Sequence, residues 1–393
     1  MKKMISLAAM FAALSYASPA SAEINFSGDA STRVRGEFNN TETAAGVKTT
    51  LNDDIKYQYR VRLKAAADLG DGYFFKALIA NEDYVGATTT SGSSSPGWGT
   101  VANGNGEKFA LQVSNFYFGH ATADCHYTLG RLPLNSFNNP IFDLTLYPVP
   151  GTILAGSTLA PAGARVYAVD VPVTQWNFDR IYGANYGTKI GDGMLDATFI
   201  VFDNHSFIEN TAVLADGLLN DGYALHVSYK TNIGDVTIDP QAIIALTDAG
   251  GAVYARVSPN SFGTNVSIPA GKSKIGLSGF YTVCKDSNGL SATTGLPANV
   301  DYSGYLVRLK GESGPAMAWV DYNRTTDHTS GTDVKYNNFF FWGQYTFKVH
   351  ESSKGTFSVV PTVRYRASSW DNAIAGTDRN NQLRTELYAT VTF

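Results

Sequence analysis

Along the last eleven residues apolar and polar side chains alternate without a break. Leu383, Thr385, Leu387, Ala389, Val391 and Phe393 fall on one side, Arg384, Glu386, Tyr388, Thr390 and Thr392 on the other. Successive side chains of a strand point to opposite faces, so this segment predicts a strand with one apolar face, long enough to cross a bilayer at a tilt. The same design opens the chain after residue 22: Ile24, Phe26, Ala30, Val34 and Phe38 alternate with Asn25, Ser27, Asp29, Ser31, Arg33, Arg35 and Glu37. It recurs from Ile55 to Ala67, where Lys56, Gln58, Arg60, Arg62 and Lys64 occupy the polar face, and Leu69-Gly70-Asp71-Gly72 then makes a tight turn.

Alternation alone fits a soluble sandwich or a large barrel with a wet lumen. Connection lengths separate the two. Short turns at Ala121–Asp124, Gly191–Gly193, Asn232–Asp235, Pro269–Lys272, Gly311–Pro315 and Ser352–Gly355 take turns with long polar loops at 85–106, 203–222, 247–260, 285–299, 324–333 and 368–382. That is the construction of an outer-membrane barrel. The period predicts an all-β, transmembrane antiparallel β-barrel of about sixteen strands, or eighteen if Ala252–Ser258 also crosses and pairs with a further segment otherwise read as loop. The least regular stretch, Leu132–Thr174, is rich in proline but also carries Leu134, Phe137, Ile141, Phe142, Leu144 and Leu146. An apolar loop of this length has one natural place to pack, back into the lumen.

The N-terminus supplies the route. Lys2 and Lys3, the apolar run Ile5–Tyr16 and Ala20-Ser21-Ala22 form a secretory leader, so residues 1–22 are expected to be a signal peptide and 23–393 the barrel. The run is shorter than the roughly 20 residues of a spanning helix. A formal net charge of -4 argues against nucleic acid as a partner.

With these features the chain resembles a Gram-negative general porin along its whole mature length. The resemblance rests on the leader, the alternating strands, Tyr127-Thr128-Leu129-Gly130-Arg131 before the long third loop, Arg180-Ile181-Tyr182-Gly183-Ala184-Asn185-Tyr186 after it, and the terminal Tyr388-Ala389-Thr390-Val391-Thr392-Phe393. It implies an outer-membrane channel for passive diffusion of ions and small hydrophilic solutes, assembled as a homotrimer amid outer-membrane lipid and lipopolysaccharide. It implies too that Tyr388 and Phe393 belong to the signal read by the insertion machinery, and that the third loop forms a constriction. The acidic cluster usual on that loop is thin here, with Asp143 its main member.

Register places Arg33, Arg35, Arg60, Arg62, Lys64 and Lys76 on the inner faces of three adjacent strands, a basic wall expected to face Asp143 at the constriction. Arg131 and Arg180, flanking the loop, are further candidates. Cys125 and Cys284 fall at opposite rims, too far apart for a disulfide, and neither has metal-site spacing. Asn204-His205-Ser206 offers only a sequence-adjacent pair, so no enzyme and no cofactor are expected. Alternatives in other classes are a substrate-specific channel with a saturable site, such as an aromatic slide along Trp319, Phe340 or Trp342, a barrel enzyme with a plugged lumen, and an adhesin or structural barrel.

Overall fold

The structure, a computed structural model, describes residues 23–81, 98–101, 111–133, 138–142, 180–203, 222–247, 259–286, 300–328, 332–372 and 376–393. The expected leader, Ala252–Ser258, Asp143, the His205–Ser206 pair and most of the long loops lie outside the described residues.

Eighteen strand segments form one antiparallel sheet: β1 (Glu23–Glu42), β2 (Lys48–Gly70), β3 (Tyr73–Ala80), β4 (Gly99–Thr100), β5 (Gln112–Ala121), β6 (Cys125–Pro133), β7 (Arg180–Ile190), β8 (Gly193–Asp203), β9 (Gly222–Ile233), β10 (Val236–Ala245), β11 (Asn260–Ala270), β12 (Ser273–Asp286), β13 (Val300–Ser313), β14 (Ala316–Asp327), β15 (Val334–Tyr345), β16 (Phe347–Ser352), β17 (Gly355–Asn372) and β18 (Gly376–Thr392). Each pairs with its neighbour, and β1 closes the ring on β18 from Asp29↔Thr392 to Glu42↔Arg379. The two-residue β4 resumes the pairing of β3 along β2, and β16 continues β15 past a break at Thr346. The barrel therefore has sixteen staves, as the alternation predicts.

The pleat sorts the side chains. At the seam, Val34 and Leu387 are register partners and stand 44% and 52% exposed, while the next pair, Arg35 and Glu386, is buried inside. Every stave adds large apolar side chains to the outer face, among them Phe75, Phe118, Tyr186, Leu277 and Leu309. A continuous apolar exterior of this kind is the surface a bilayer covers. Closure leaves no sheet edge to lipid, the condition for a strand protein to span a membrane.

Short turns hold one rim. Gly191, Gly234, Gly271 and Gly314 each open a two-residue hairpin with φ between 53° and 62°. Positive φ at the first central residue is the II′ geometry that matches strand twist, and glycine adopts it without a Cβ clash.

At the other rim the strands outrun the apolar alternation. The expected loop 368–382 is strand on both sides of residues 373–375, and the loop expected at 324–333 shrinks because β14 reaches Asp327 and β15 starts at Val334. Likewise β1 and β2 pair from Asn39↔Asn52 to Glu42↔Lys48, beyond their last alternating residues. Above the lipid both faces meet water, so apolar alternation stops while backbone pairing continues.

Candidate functional site in the barrel lumen

Barrel closure brings together the inner faces of β17, β18, β1 and β2, and seven arginines converge there. Glu386 is the hub, with no side-chain exposure. Arg35 Nε lies 2.6 Å from its Oε1 and Arg33 Nη1 3.1 Å away, while Arg364 Nε reaches Oε2 at 2.8 Å. The Tyr388 hydroxyl donates to Oε2 at 2.7 Å and accepts from Arg364 Nη2 at 2.7 Å. One cross-strand step away Glu37 accepts from Arg384 Nη2 at 2.6 Å and from Gln382 at 2.8 Å. Towards the turn rim Arg62 binds both oxygens of Asp29, and Arg60 stands 3.8 Å from the same carboxylate. Arg366 donates to Asn380 at 2.6 Å.

The carboxylates are outnumbered, so the wall carries net positive charge even with every ion pair formed. Close-packed guanidiniums repel, and Arg33, Arg60 and Arg364 are held in place by stacking as well as by pairing. Trp98 enters the lumen because Gly99 and Thr100 pair with Tyr59 and Gln58. A Cβ on Gly99 would stand 2.5 Å from the Tyr59 ring, so a larger residue there would have to displace the end of that side chain. Arg33 then lies 4.1 Å and Arg60 4.7 Å from the Trp98 ring centre.

A single register row carries the wall round to the next staves: Trp319↔Trp342, Trp342↔Arg364, Arg364↔Arg384 and Arg384↔Glu37. Arg364 lies 3.6 Å over Trp342, which stacks on Trp319 at 4.7 Å and 12°. Along the row Trp342 sits between Trp319 and Arg364 and packs against both. On the far side of Trp319, Arg308 donates to both oxygens of Asp321 at 2.6 and 2.9 Å.

In strand order β10 and β11 lie half the circumference from β1, and the third loop is tethered there. Asn139 donates to Gln241 at 2.8 Å and accepts from Asn265 at 2.9 Å, while Lys310 donates to Asn138 at 2.6 Å. A 3-10 turn, Pro140–Phe142, follows and buries Ile141 and Phe142 in an apolar patch of the inner wall with Ile181, Ile200, Ile243, Phe280 and Leu306. Burying each of those two side chains contributes roughly 1.5–3 kcal/mol, which together with the tether's hydrogen bonds offsets part of the ordering entropy of the segment. The loop segment thus stands across the lumen from the arginine wall.

The sequence-derived candidates divide accordingly. Arg33, Arg35, Arg60 and Arg62 come together at the wall. Lys64 and Lys76 share the inner face by register but lie nearer the turn rim, Lys76 with its ammonium 5.0 Å from the Phe74 ring, outside the Glu386 network. Arg131 does not belong to the wall. It is in register with Phe116 and Tyr182 on the outward row, its guanidinium 5.3 Å from the Tyr182 ring. The side chain of Arg180 and the whole of Asp143 lie outside the described residues. Of the expected insertion-signal pair, Phe393 faces outward at 56% exposure, whereas Tyr388 points into the lumen network. Cys125 and Cys284 are both free thiols. Sequence reasoning missed Arg364, Arg366, Arg384, Glu386 and Trp98; the available signal was that a barrel joins its last strands to its first.

A closed sixteen-stave barrel with an apolar exterior and a charged inner face is the architecture of an outer-membrane β-barrel. In keeping with this, two solved structures share the fold. The outer membrane channel DcaP of Acinetobacter baumannii is 12% identical, with 96% of this chain and 99% of that one covered at a TM-score of 0.53. The anion-selective porin from Comamonas acidovorans is 13% identical, with 95% and 100% covered at a TM-score of 0.51. No family model and no curated protein matches the sequence.

Proposed function

We propose that the protein is an outer-membrane porin, a water-filled channel for passive diffusion of ions and small hydrophilic solutes, with anions favoured over cations. The observation that carries this reading is the arginine wall inside a closed barrel. Rings of charge at a narrow point decide which ions pass, and here guanidinium exceeds carboxylate across four adjacent staves. A packed structural barrel has no use for buried excess charge, which costs stability unless something passes or binds beside it. The protein has no catalytic role in this reading. It reaches the outer membrane after removal of residues 1–22, is inserted through its last strand and Phe393, and works as a homotrimer, as the resemblance to general porins supports.

The test is single-channel recording of the purified, unheated protein in a planar bilayer, with the reversal potential measured in a salt gradient. Ohmic steps in groups of three, with a reversal potential on the anion side, are expected. A silent bilayer with protein shown to be inserted would mean a plugged barrel and return the weight to an adhesin or enzyme.

A further inference from the structure

Below the loop tether, towards the turn rim, the inner wall has a recess that the ion path does not explain. Two register rows build it. In the first, Thr237, Ser267 and Gly276 are successive cross-strand partners on β10, β11 and β12, ending on Lys310 of β13. In the second, Asp239, Asn265, Ser278 and Arg308 follow one another on the same four strands. Three small side chains in one row, between longer ones, leave a hollow. A Cβ on Gly276 would find its nearest neighbour at 3.6 Å, so the floor there is open. The resulting cavity has a volume of about 480 Å3 and is roofed by Asn138 and Asn139 of the third loop. That lies within the roughly 300–1,000 Å3 of small-molecule sites.

Its chemistry is specific. Glu312 is engaged by Lys310 at 2.6 Å and Arg308 is held by Asp321, while Asp239 accepts from Gln241 at 2.6 Å and lies in the field of Lys230. Lys230 and Lys274 also line the cavity and form no ion pair or hydrogen bond among the described residues. Two ammonium groups at the edges flank a floor of hydroxyls and amides. Among the described residues the lining has no aromatic ring. An apolar or aromatic solute gains little there, whereas an anion carrying several hydroxyls matches the two ammoniums, the hydroxyls and the amides.

We propose that this recess is a saturable binding site, on the turn side of the third loop, for a sugar-sized polyol bearing one anionic group. Lys230 and Lys274 take the anionic head, and Ser267, Ser278 and the loop amides take the hydroxyls. The site deepens the channel reading and rests on it, giving the pore a resting station for one class of solute.

The test uses the intact protein with glucose 6-phosphate as probe, against glucose and inorganic phosphate, in two measurements. In the bilayer, the probe added on the turn side produces concentration-dependent, saturating interruptions of the ion current, weaker for either control. Titration calorimetry of the detergent-solubilised barrel gives the same half-saturation without needing conductance. The double variant K230Q/K274Q raises that value about tenfold, the loss expected for charge-assisted hydrogen bonds, while keeping the ohmic steps. Gly276→Leu, which fills the floor and leaves both lysines, does likewise. Ohmic steps with no saturation and no heat overturn the site and leave the channel standing. A silent bilayer with binding heat that K230Q/K274Q abolishes overturns the channel and keeps the site. Equal binding by wild type and Gly276→Leu places the probe elsewhere and overturns the proposal.

Discussion

Arg60 and Arg62 are the wall residues best placed to set ion preference, because their side chains are 22% and 30% exposed while those of Arg33 and Arg35 are sealed. The double variant R60A/R62A removes two positive charges and leaves Asp29 unanswered. Take a permeating ion about 6 Å from each removed charge: Coulomb's law in water gives roughly 0.7 kcal/mol per charge, and screening at about 0.1 M salt leaves near 0.8 kcal/mol for the two. The change has opposite sign for chloride and potassium, so their permeability ratio moves by about 1.6 kcal/mol, on the order of tenfold towards cations. At about 1 M salt, where the screening length is near 3 Å, the same change shrinks to roughly twofold. Reversal potentials in a tenfold potassium chloride gradient, taken at low and high mean concentration, read both numbers. R60K/R62K controls for folding and should keep the wild-type ratio within about twofold, because charge and not bidentate geometry acts at this range. An unchanged ratio at low salt would remove both residues from the ion path, and an equal shift at both concentrations would refute an electrostatic origin.

The remaining expectations concern what holds the site. Glu386→Gln keeps the side-chain shape but leaves Arg33, Arg35 and Arg364 without their shared counter-charge, and should lower barrel stability by about 3–5 kcal/mol in urea unfolding followed by tryptophan fluorescence. No change in the midpoint would mean that water already solvates the three guanidiniums. Asn139→Ala cuts the loop tether to Gln241 and Asn265 at a cost of about 1–3 kcal/mol, and should raise amide exchange at Ile141 and Phe142 while leaving the strands protected. Gly183→Ala sets a Cβ against the Phe199 carbonyl oxygen, which is backbone and cannot swing away. It should cost about 1–3 kcal/mol, visible as a lower temperature at which the folded band converts on a gel.

How much of the barrel was legible follows from where alternation is enforced. Leu383–Phe393 and Ile55–Ala67 could be read residue by residue because lipid demands an apolar side chain at every second position there. Asn39–Glu42 and 376–382 were unreadable as strand, since their residues are polar on both faces and only the partner strand shows that they pair. Thr346 marks a different limit: the pattern from Lys335 to Phe347 runs on while the pairing with β17 is interrupted between Gln344 and Phe347, although the Thr346 amide still bonds to Pro315 of the other neighbour.

The site was legible along strands and invisible across them. Arg33, Arg35, Arg60 and Arg62 stand close in sequence on a hairpin, so their clustering shows in the chain itself. Arg364, Arg384 and Glu386 lie more than 300 residues away, and only closure makes them neighbours of Arg33. Arg131 is the opposite case. It follows Tyr127 and Leu129 at the same spacing, on the outward row, and a charge on that row says nothing about the lumen. A register row takes one residue from each stave, so the lumen's chemistry is written at intervals of one hairpin, with no local motif to find. The recess under Asn138 is the extreme case: Thr237, Ser267 and Gly276 are unremarkable in their own strands, and only their shared row turns three small side chains into a place where a solute can rest.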